Sequence, residues 1–270
     1  MLCAIAALGL TGTAFLGHRL REMMPRRDPS IPYKEFDAVT ADGVRICARY
    51  LPGGDRGAVI LAHPAVTGQR YAPLVDLAEM LAGHFDVYTF DFRGHGGSEG
   101  RLELDLRGPL EDMRAVLGMV GESSYAWVGA VGFSLGGMTA FLYAALHGGL
   151  DAVAVVGAPP LLPDIEPYRR ILPAWSLFLR VLGARFKAVR GEGPLPMDAA
   201  GYFPDVPLLV VHGACEAFYS REDLDAMLAG LGREPELWVI EGAGHTELRG
   251  REPDLVEWLV ACSVSAAGER

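Results

Sequence analysis

From about residue 36 onward, the sequence alternates short runs of apolar, β-branched residues with stretches of helical periodicity. This alternation is typical of a doubly wound sheet, in which each strand is followed by a helix that covers one of its faces. The later strands are continuous apolar runs, as strands covered on both faces require, whereas the first two alternate and suit an antiparallel edge. The predicted fold class is therefore α/β, with a mostly parallel eight-stranded sheet and helices on both faces.

The elements can be placed along the chain from these patterns. Strands are predicted at Phe36 to Thr40, Arg45 to Leu51, Ala58 to His63, Val87 to Phe92, Ala126 to Phe133, Ala152 to Val156, Leu208 to His212 and Leu237 to Ile240. Helices are predicted at Tyr71 to Ala82, Leu110 to Val120, Gly136 to Leu146, Arg221 to Leu231 and Pro253 to Cys262. The interval 158–205 is too long for a simple crossover, so we predict a small cap inserted there.

Composition limits what kind of protein this chain can form. Its 270 residues are 50% hydrophobic, enough to bury one large core. A formal net charge of -10 argues against a nucleic-acid partner, because binding phosphates needs a basic surface. The four cysteines are scattered without paired spacing, and no phosphate or dinucleotide fingerprint opens a helix. We therefore expect no metal, no cofactor and no disulfide framework.

The amino terminus differs from the rest of the chain. Residues 1–17 carry no charge and are followed by four arginines within ten residues. As a helix, the run would span roughly 25 Å, slightly short of a bilayer core. We predict a membrane anchor and basic linker over residues 1–30, with the folded domain at 31–270 and, by the positive-inside rule, in the cytoplasm. A signal peptide, a misassigned start or a helix packed on a soluble cytoplasmic domain are the alternatives.

The strongest chemical motif is the segment Gly132-Phe133-Ser134-Leu135-Gly136, which lies where a predicted strand gives way to a predicted helix. A serine in this context occupies a sharp, strained turn that projects its hydroxyl from the sheet edge. Glycines two residues before and after let the strand and helix backbones pass closely. The context therefore predicts that Ser134 is a nucleophile rather than an idle turn residue.

Several segments together resemble the α/β-hydrolase superfamily, over nearly all of residues 36–260. Besides the serine motif, Asp91-Phe92-Arg93-Gly94-His95-Gly96-Gly97-Ser98 is similar to the family's DxRGxGxS segment, and Thr40 to Val44 to its first hairpin. The closest likeness is to the monoacylglycerol lipase and serine aminopeptidase branch. The resemblance implies the α/β-hydrolase fold and a serine hydrolase activity. It assigns His95 a loop-ordering role.

The resemblance also implies a catalytic triad in the order serine, acid, histidine. The general base is expected on the loop after the last strand, where His245 lies, and a histidine can exchange protons near neutral pH. The acid is expected after the strand that ends at His212, where the family usually has aspartate and this chain has Glu216. Glu222 and Asp223, at the start of the next helix, are the alternatives to Glu216.

Two backbone amides are expected to bind the oxyanion that forms during acyl transfer. One belongs to Leu135, the residue after the nucleophile. The resemblance places the other at Ala65, two residues after His63. Relatives usually carry glycine where this chain has Pro64, and proline removes a backbone N–H while fixing φ. This departure removes one backbone donor from the loop and leaves the amide of Ala65.

The predicted function is hydrolysis of a carboxylic ester, lipid-derived esters among them, through an acyl-enzyme on Ser134. The cap carries apolar residues at helical spacing, which either bind an acyl chain or dock the cap on the domain; they are Trp175, Leu177, Phe178, Leu179, Val181, Leu182 and Phe186. The same triad serves amide, thioester or peptide hydrolases. A membrane-tethered binding protein that retains the fold without catalysis is the third hypothesis. No oligomeric state is predicted.

Overall fold

The apolar runs of the sequence form the central sheet of a computed structural model, which describes residues 24–121, 125–162, 180, 184–190 and 193–268. The strands are β1 Lys34–Val39, β2 Arg45–Leu51, β3 Ala58–Ala62, β4 Asp86–Phe90, β5 Leu102–Leu104, β6 Val128–Phe133, β7 Ala152–Val156, β8 Phe186–Arg190, β9 Leu208–Gly213 and β10 Glu236–Ile240. Eight of them form one sheet in the order β1-β2-β4-β3-β6-β7-β9-β10. In this sheet β2 is antiparallel to both neighbours, and the other pairs are parallel. The predicted mostly parallel sheet with an antiparallel edge is confirmed.

Helices cover both faces of this sheet, as predicted. They are α1 Ala72–Leu81, α2 Arg107–Gly121, α3 Leu135–His147, α4 Pro196–Ala199, α5 Arg221–Gly230 and α6 Glu252–Gly268. One apolar cluster contains buried side chains of α2, α3 and α5, and a second contains those of α1 and α6. The two clusters lie on opposite faces, so the sheet has a hydrophobic core on each side.

Strand β3 shows why the central strands are apolar throughout. All five of its residues are buried. Ala58, Ile60 and Ala62 belong to one cluster, whereas Val59 and Leu61 belong to the other. Because successive side chains of a strand point to opposite faces, both sets are removed from water, and each large aliphatic side chain contributes about 1.5–3 kcal/mol. A polar residue at any of these positions would lose that contribution.

The structure adds elements that the sequence pattern did not predict. Strands β5 and β8 pair in a separate two-stranded sheet, and helix α6 continues six residues beyond its predicted end at Cys262. Strand β8 belongs to the predicted cap interval, so this small sheet joins that interval to the segment after β4. A backbone bond from Arg185 N to Gly94 O, 2.6 Å long, extends the junction. The division into domains and the cap as a unit remain predictions.

Nearly half of the predicted cap interval and the whole predicted anchor lie outside the described residues. This applies to residues 1–17 and to Trp175, Leu177, Phe178, Leu179, Val181 and Leu182, while of Phe186 only its place in β8 is described. Among the helices that the structure describes, none is long and apolar enough to cross a membrane. The anchor therefore stays a prediction.

The chain that precedes β1 is tied to helix α1 by backbone and side-chain hydrogen bonds. Ala72 N donates to Pro25 O at 2.8 Å, and Arg27 N donates to Arg70 O at 3.0 Å. The Arg27 guanidinium binds both carboxylate oxygens of Glu79, at 2.8 and 2.7 Å. The Ser30 hydroxyl donates to the same carboxylate at 2.9 Å. Glu79 is thus the side chain of α1 that accepts most of the hydrogen bonds from the N-terminal segment.

We expect Glu79→Gln to lower the melting temperature at pH 7 by roughly 2–4 °C, a loss of about 1 kcal/mol in a chain of this size. The hydrogen bonds from Arg27 lower the pKa of Glu79 from 4.5 to about 2. A lowered pKa stabilises the folded state above pH 4.5, and that stabilisation is lost as the pH falls toward 2. The difference in melting temperature between variant and wild type should therefore decrease as the pH falls from 4.5 toward 2, which thermal melts measure.

Glu111→Gln is the matched control, because its carboxylate lies 3.9 Å from the Arg114 guanidinium on an exposed part of α2. Exposed pairs of this kind contribute little to stability. Equal effects of the two substitutions would contradict the role assigned to Glu79.

Candidate active site

Ser134 lies at the turn between β6 and α3, and its backbone is in a conformation that non-glycine residues rarely adopt. Its φ is 51° and its ψ is -112°. Conformations of this kind cost on the order of 1–3 kcal/mol and persist only where the surrounding structure holds them. Ser134 N donates to Val156 O in the neighbouring strand at 2.9 Å, and Ser134 O accepts from Met138 N in the helix at 2.9 Å. The turn is thus fixed on both sides.

The two glycines of the motif are required by close backbone contacts. A Cβ atom at Gly132 would lie 2.2 Å from the carbonyl oxygen of Gly136, and one at Gly136 would lie 2.3 Å from that of Ala62. Both distances are far below van der Waals contact, and both partners are backbone atoms that cannot rotate away. The strand and the helix therefore meet at a separation that only glycine permits.

His245 lies on the loop after β10 and joins two other predicted site residues. Its Nε2 is 2.8 Å from Ser134 Oγ, and its Nδ1 is 2.7 Å from Glu216 Oε2. The carboxylate can only accept at Nδ1, so that nitrogen carries the proton and Nε2 is free to accept from the serine hydroxyl. The predicted serine, histidine and glutamate form one continuous hydrogen-bonded chain.

Gly157, at the end of β7, makes room for this histidine loop. A Cβ atom there would lie 2.9 Å from Thr246 N and 3.4 Å from His245 Nδ1. Its φ of 58° is in the left-handed region that favours glycine. A larger residue would collide with the backbone of Thr246, the neighbour of the histidine. Gly157 was not predicted as a site residue, since nothing in the local sequence marks it.

Glu216 is almost completely buried, with 2% of its side chain exposed. Its Oε1 accepts hydrogen bonds from the amides of Ala217 and Phe218, both at 2.8 Å, while Oε2 faces the histidine. Three donors therefore surround this carboxylate, which is the condition under which a buried negative charge is tolerated. The longer glutamate side chain is accommodated because the loop folds back over it.

The alternative carboxylates do not contact His245. Asp223 forms a capping box with Ser220 at the start of α5: Ser220 Oγ accepts from Asp223 N at 3.0 Å, and the Asp223 carboxylate accepts from Ser220 N at 3.2 Å. Glu222 is exposed in the first turn of the same helix. Both residues favour a helix start, which is the structural role that carboxylates commonly have there.

The loop that carries Ala65 is held by two buried histidines. His63 Nδ1 donates to Pro64 O at 2.7 Å, while its Nε2 accepts from Phe92 N at 3.0 Å. His95 Nε2 accepts from Val66 N at 3.2 Å. Burial lowers the pKa of both histidines, that of His95 to about 3, so they remain neutral and keep these donor and acceptor roles. The predicted loop-ordering contact of His95 is present, and His63 is a partner that sequence reasoning missed.

The two candidate oxyanion donors are the backbone amides of Ala65 and Leu135. Among the described residues, no acceptor is found for the amide of Ala65 or for that of Leu135. Pro64 stabilises the loop through its carbonyl oxygen. This oxygen accepts hydrogen bonds from His63 Nδ1 and, at 2.8 Å, from Thr67 Oγ1. Val66, the residue after Ala65, has a φ of 64°, in the left-handed region that non-glycine residues rarely adopt. The substitution of glycine by proline is thus compatible with an ordered loop.

Phe218 is a second neighbour of His245 that the sequence did not reveal. Its ring centroid lies 4.3 Å from that of the imidazole, with 41° between the planes. Its backbone amide is one of the donors to Glu216. The only sequence signal was an aromatic residue two positions after the candidate acid.

In the part of the chain that the structure describes, no cluster of three or more His, Cys, Asp or Glu side chains could hold a metal.

Comparisons with known proteins bear on the architecture. A family model for the alpha/beta hydrolase fold matches residues 58–184. No protein of curated function matches the sequence significantly. Among solved structures, an esterase from Pyrococcus furiosus is similar with a TM-score of 0.65 at 18% identity, over 88% of this chain and 96% of that one. An α/β hydrolase from Penicillium sp. sh18 is similar with a TM-score of 0.68 at 18% identity, over 86% and 98%.

A third similar structure is an esterase from Rhodococcus sp. ECU1013, with a TM-score of 0.63 at 20% identity, over 86% of this chain and 99% of that one. At such identities the likeness concerns the fold. None of these comparisons separates the monoacylglycerol lipase and serine aminopeptidase branch from other relatives, so that closer likeness stays a prediction.

We expect Gly136→Ala to destabilise the protein by on the order of 2–4 kcal/mol, because the new Cβ would collide with the Ala62 carbonyl. Urea unfolding measures this loss. Gly118→Ala is the matched control: this glycine lies inside α2, and no atom lies within 4 Å of the position that an alanine Cβ would take there. Alanine should therefore be neutral at this position or stabilise by up to about 1 kcal/mol. Equal tolerance of both substitutions would contradict the close approach at Ser134.

Proposed function

We propose that this chain, which has the α/β-hydrolase fold, is a serine hydrolase that cleaves carboxylic esters. The observation that carries the proposal is the hydrogen-bonded chain from Ser134 through His245 to Glu216, with separations of 2.8 and 2.7 Å. A nucleophile, a base within hydrogen-bonding reach and a third group that orients the base are the minimal arrangement for covalent acyl transfer.

In the proposed reaction, Ser134 Oγ attacks the ester carbonyl carbon while its proton moves to His245 Nε2. The carbonyl oxygen becomes an oxyanion that accepts hydrogen bonds from the amides of Ala65 and Leu135. When the intermediate collapses, the bond to the alcohol oxygen breaks and the alcohol leaves with the proton from Nε2. Ser134 is then acylated.

Water completes the cycle by the same groups. His245 Nε2 accepts a proton from water, whose oxygen attacks the acyl carbon, and returns this proton to Ser134 Oγ as the carboxylic acid departs. In both halves Glu216 keeps the Nδ1 proton in place and stabilises the imidazolium that forms. The net reaction consumes one ester and one water and yields an acid and an alcohol, so no cofactor is required.

The substrate class is proposed more finely as a lipid-derived ester. The support for this is the uncharged run of residues 1–17 and the apolar residues of the cap interval, both read from the sequence. A series of p-nitrophenyl esters of increasing chain length tests it directly. A rise in kcat/KM with acyl length would support the proposal, and a preference for acetate would contradict it.

Ser134→Ala should abolish ester hydrolysis, with a loss on the order of 10⁶ in kcat. It should also abolish labelling by a fluorophosphonate probe, which reacts only with an activated serine. Ser265→Ala, at an exposed position on α6, is the matched control and should retain both activities. A wild-type protein that neither hydrolyses esters nor reacts with the probe would favour the non-catalytic binding protein instead.

Glu216→Gln should lower kcat by about 10²–10⁴. An amide neither keeps the imidazole proton on Nδ1 nor stabilises the positive charge of the imidazolium. Asp223→Asn is the control, at a nearby carboxylate in the first turn of α5. Since Asp223 caps α5, its loss should lower the melting temperature but leave kcat nearly unchanged. Steady-state kinetics together with thermal melts separate the two effects, and the reverse ranking in kcat would move the triad acid to α5.

A further inference from the structure

Phe218 is an exposed aromatic residue that contacts the histidine of the proposed triad. Its exposed fraction is 60%, which places it among the large apolar residues of the described chain that are not removed from water. Packing in the core therefore does not account for its position. Its only aromatic neighbour in the described residues is His245, at a centroid distance of 4.3 Å.

The backbone and the side chain of Phe218 have separate contacts. The amide donates to Glu216 Oε1 at 2.8 Å, and any residue other than proline can supply this bond. The ring alone lies against the imidazole. A substitution that keeps the backbone and removes the aromatic ring therefore isolates the contribution of the ring from that of the loop.

The ring faces a group that becomes positively charged during the proposed reaction. The electron-rich face of an aromatic ring attracts a nearby cation, by about 0.5–1 kcal/mol at exposed sites, which corresponds to a factor of about 2–5 in rate. In the part of the chain that the structure describes, the Glu216 carboxylate binds His245 Nδ1, and the Glu247 carboxylate, two residues along the same loop, is bound to Gly244 N and Arg249 Nε. At Nε2 the imidazole contacts the neutral hydroxyl of Ser134, the residue that precedes α3.

We propose that Phe218 is a positioning residue whose ring stabilises the imidazolium form of His245 in the transition states of acyl transfer. This inference rests on the proposed function of the Ser134, His245 and Glu216 chain. Phe218 does not itself exchange a proton or bind the oxyanion. It acts through the histidine, with Glu216 bound at Nδ1 and the phenyl ring tilted by 41° against the imidazole.

The test compares Phe218→Leu, which keeps an apolar side chain without a π face, with Phe218→Trp, which keeps the π face. On p-nitrophenyl acetate, the leucine variant should lose about 2–5-fold in kcat with little change in KM. The acid limb of its kcat/KM profile should shift to lower pH by about 0.5, because the imidazolium is less stable without the ring. The tryptophan variant should match the wild type in both measures.

Tyr202→Leu is the control for loss of an exposed aromatic residue, since Tyr202 is 72% exposed in the segment before β9. It should leave kcat and the acid limb unchanged. If the ring of Phe218 only shielded the imidazole from water, its loss would shift the acid limb to higher pH, and this result would overturn the inference.

An NMR titration of His245 distinguishes failure of the inference from failure of the proposed function. The His245 resonance is identified by its absence in a His245→Gln variant, and its pKa is compared between wild type and Phe218→Leu. Equal pKa values in two proteins that both react with the fluorophosphonate probe would overturn the role of the ring and leave the hydrolase function intact. Absence of probe reaction in the wild type would overturn the hydrolase function, and with it the positioning role assigned to Phe218.

Discussion

The close approach of strand β6 and helix α3 is the constraint on which the proposed site depends. Gly132 allows this approach, Gly136 allows α3 to approach β3 at Ala62, and Ser134 between the two glycines has a φ of 51°. A strained residue keeps such a conformation only when more favourable interactions hold it there. Here they come from the centre of the sheet, where β6 lies between two parallel neighbours and α3 covers its apolar face. The position of one hydroxyl therefore depends on the packing of the whole core.

Three histidines near this edge of the sheet differ in role because their surroundings differ. His63 and His95 are fully buried, and burial lowers the pKa of each, so they serve as neutral hydrogen-bonding groups for the loop of Ala65. His245 is partly exposed, with 19% of its side chain accessible, and has a carboxylate partner. In the proposed reaction His245 exchanges the proton of Ser134. The same type of side chain thus supports the loop at two positions and is proposed as the base at the third.

The use of glutamate at position 216 has consequences for the loop that follows. Its carboxylate is enclosed by the amides of residues 217 and 218, and the chain then enters the Ser220 and Asp223 capping box. The backbone amides of the loop therefore bind the Glu216 carboxylate before the next helix begins. The nearby Asp223 carboxylate instead caps that helix. This arrangement also brings Phe218 to the imidazole, so the acid and the aromatic neighbour of His245 are positioned by one turn of chain.

The sequence by itself determined the architecture and the residues of the turn around Ser134, because these depend on local patterns. Apolar runs predict buried strands, and glycines around Ser134 predict a turn that only glycine allows. The resemblance to the α/β-hydrolase superfamily also indicated His245 and Glu216, through their places after the last two predicted strands. Tertiary structure decided which carboxylate meets the histidine, since Glu216, Glu222 and Asp223 are close in sequence and only loop geometry separates them. It also decided the pairing of β5 with β8, the support of the Ala65 loop by His63 and the contact of Phe218 with His245. Each of these joins residues distant along the chain or depends on side-chain direction, which no local pattern encodes.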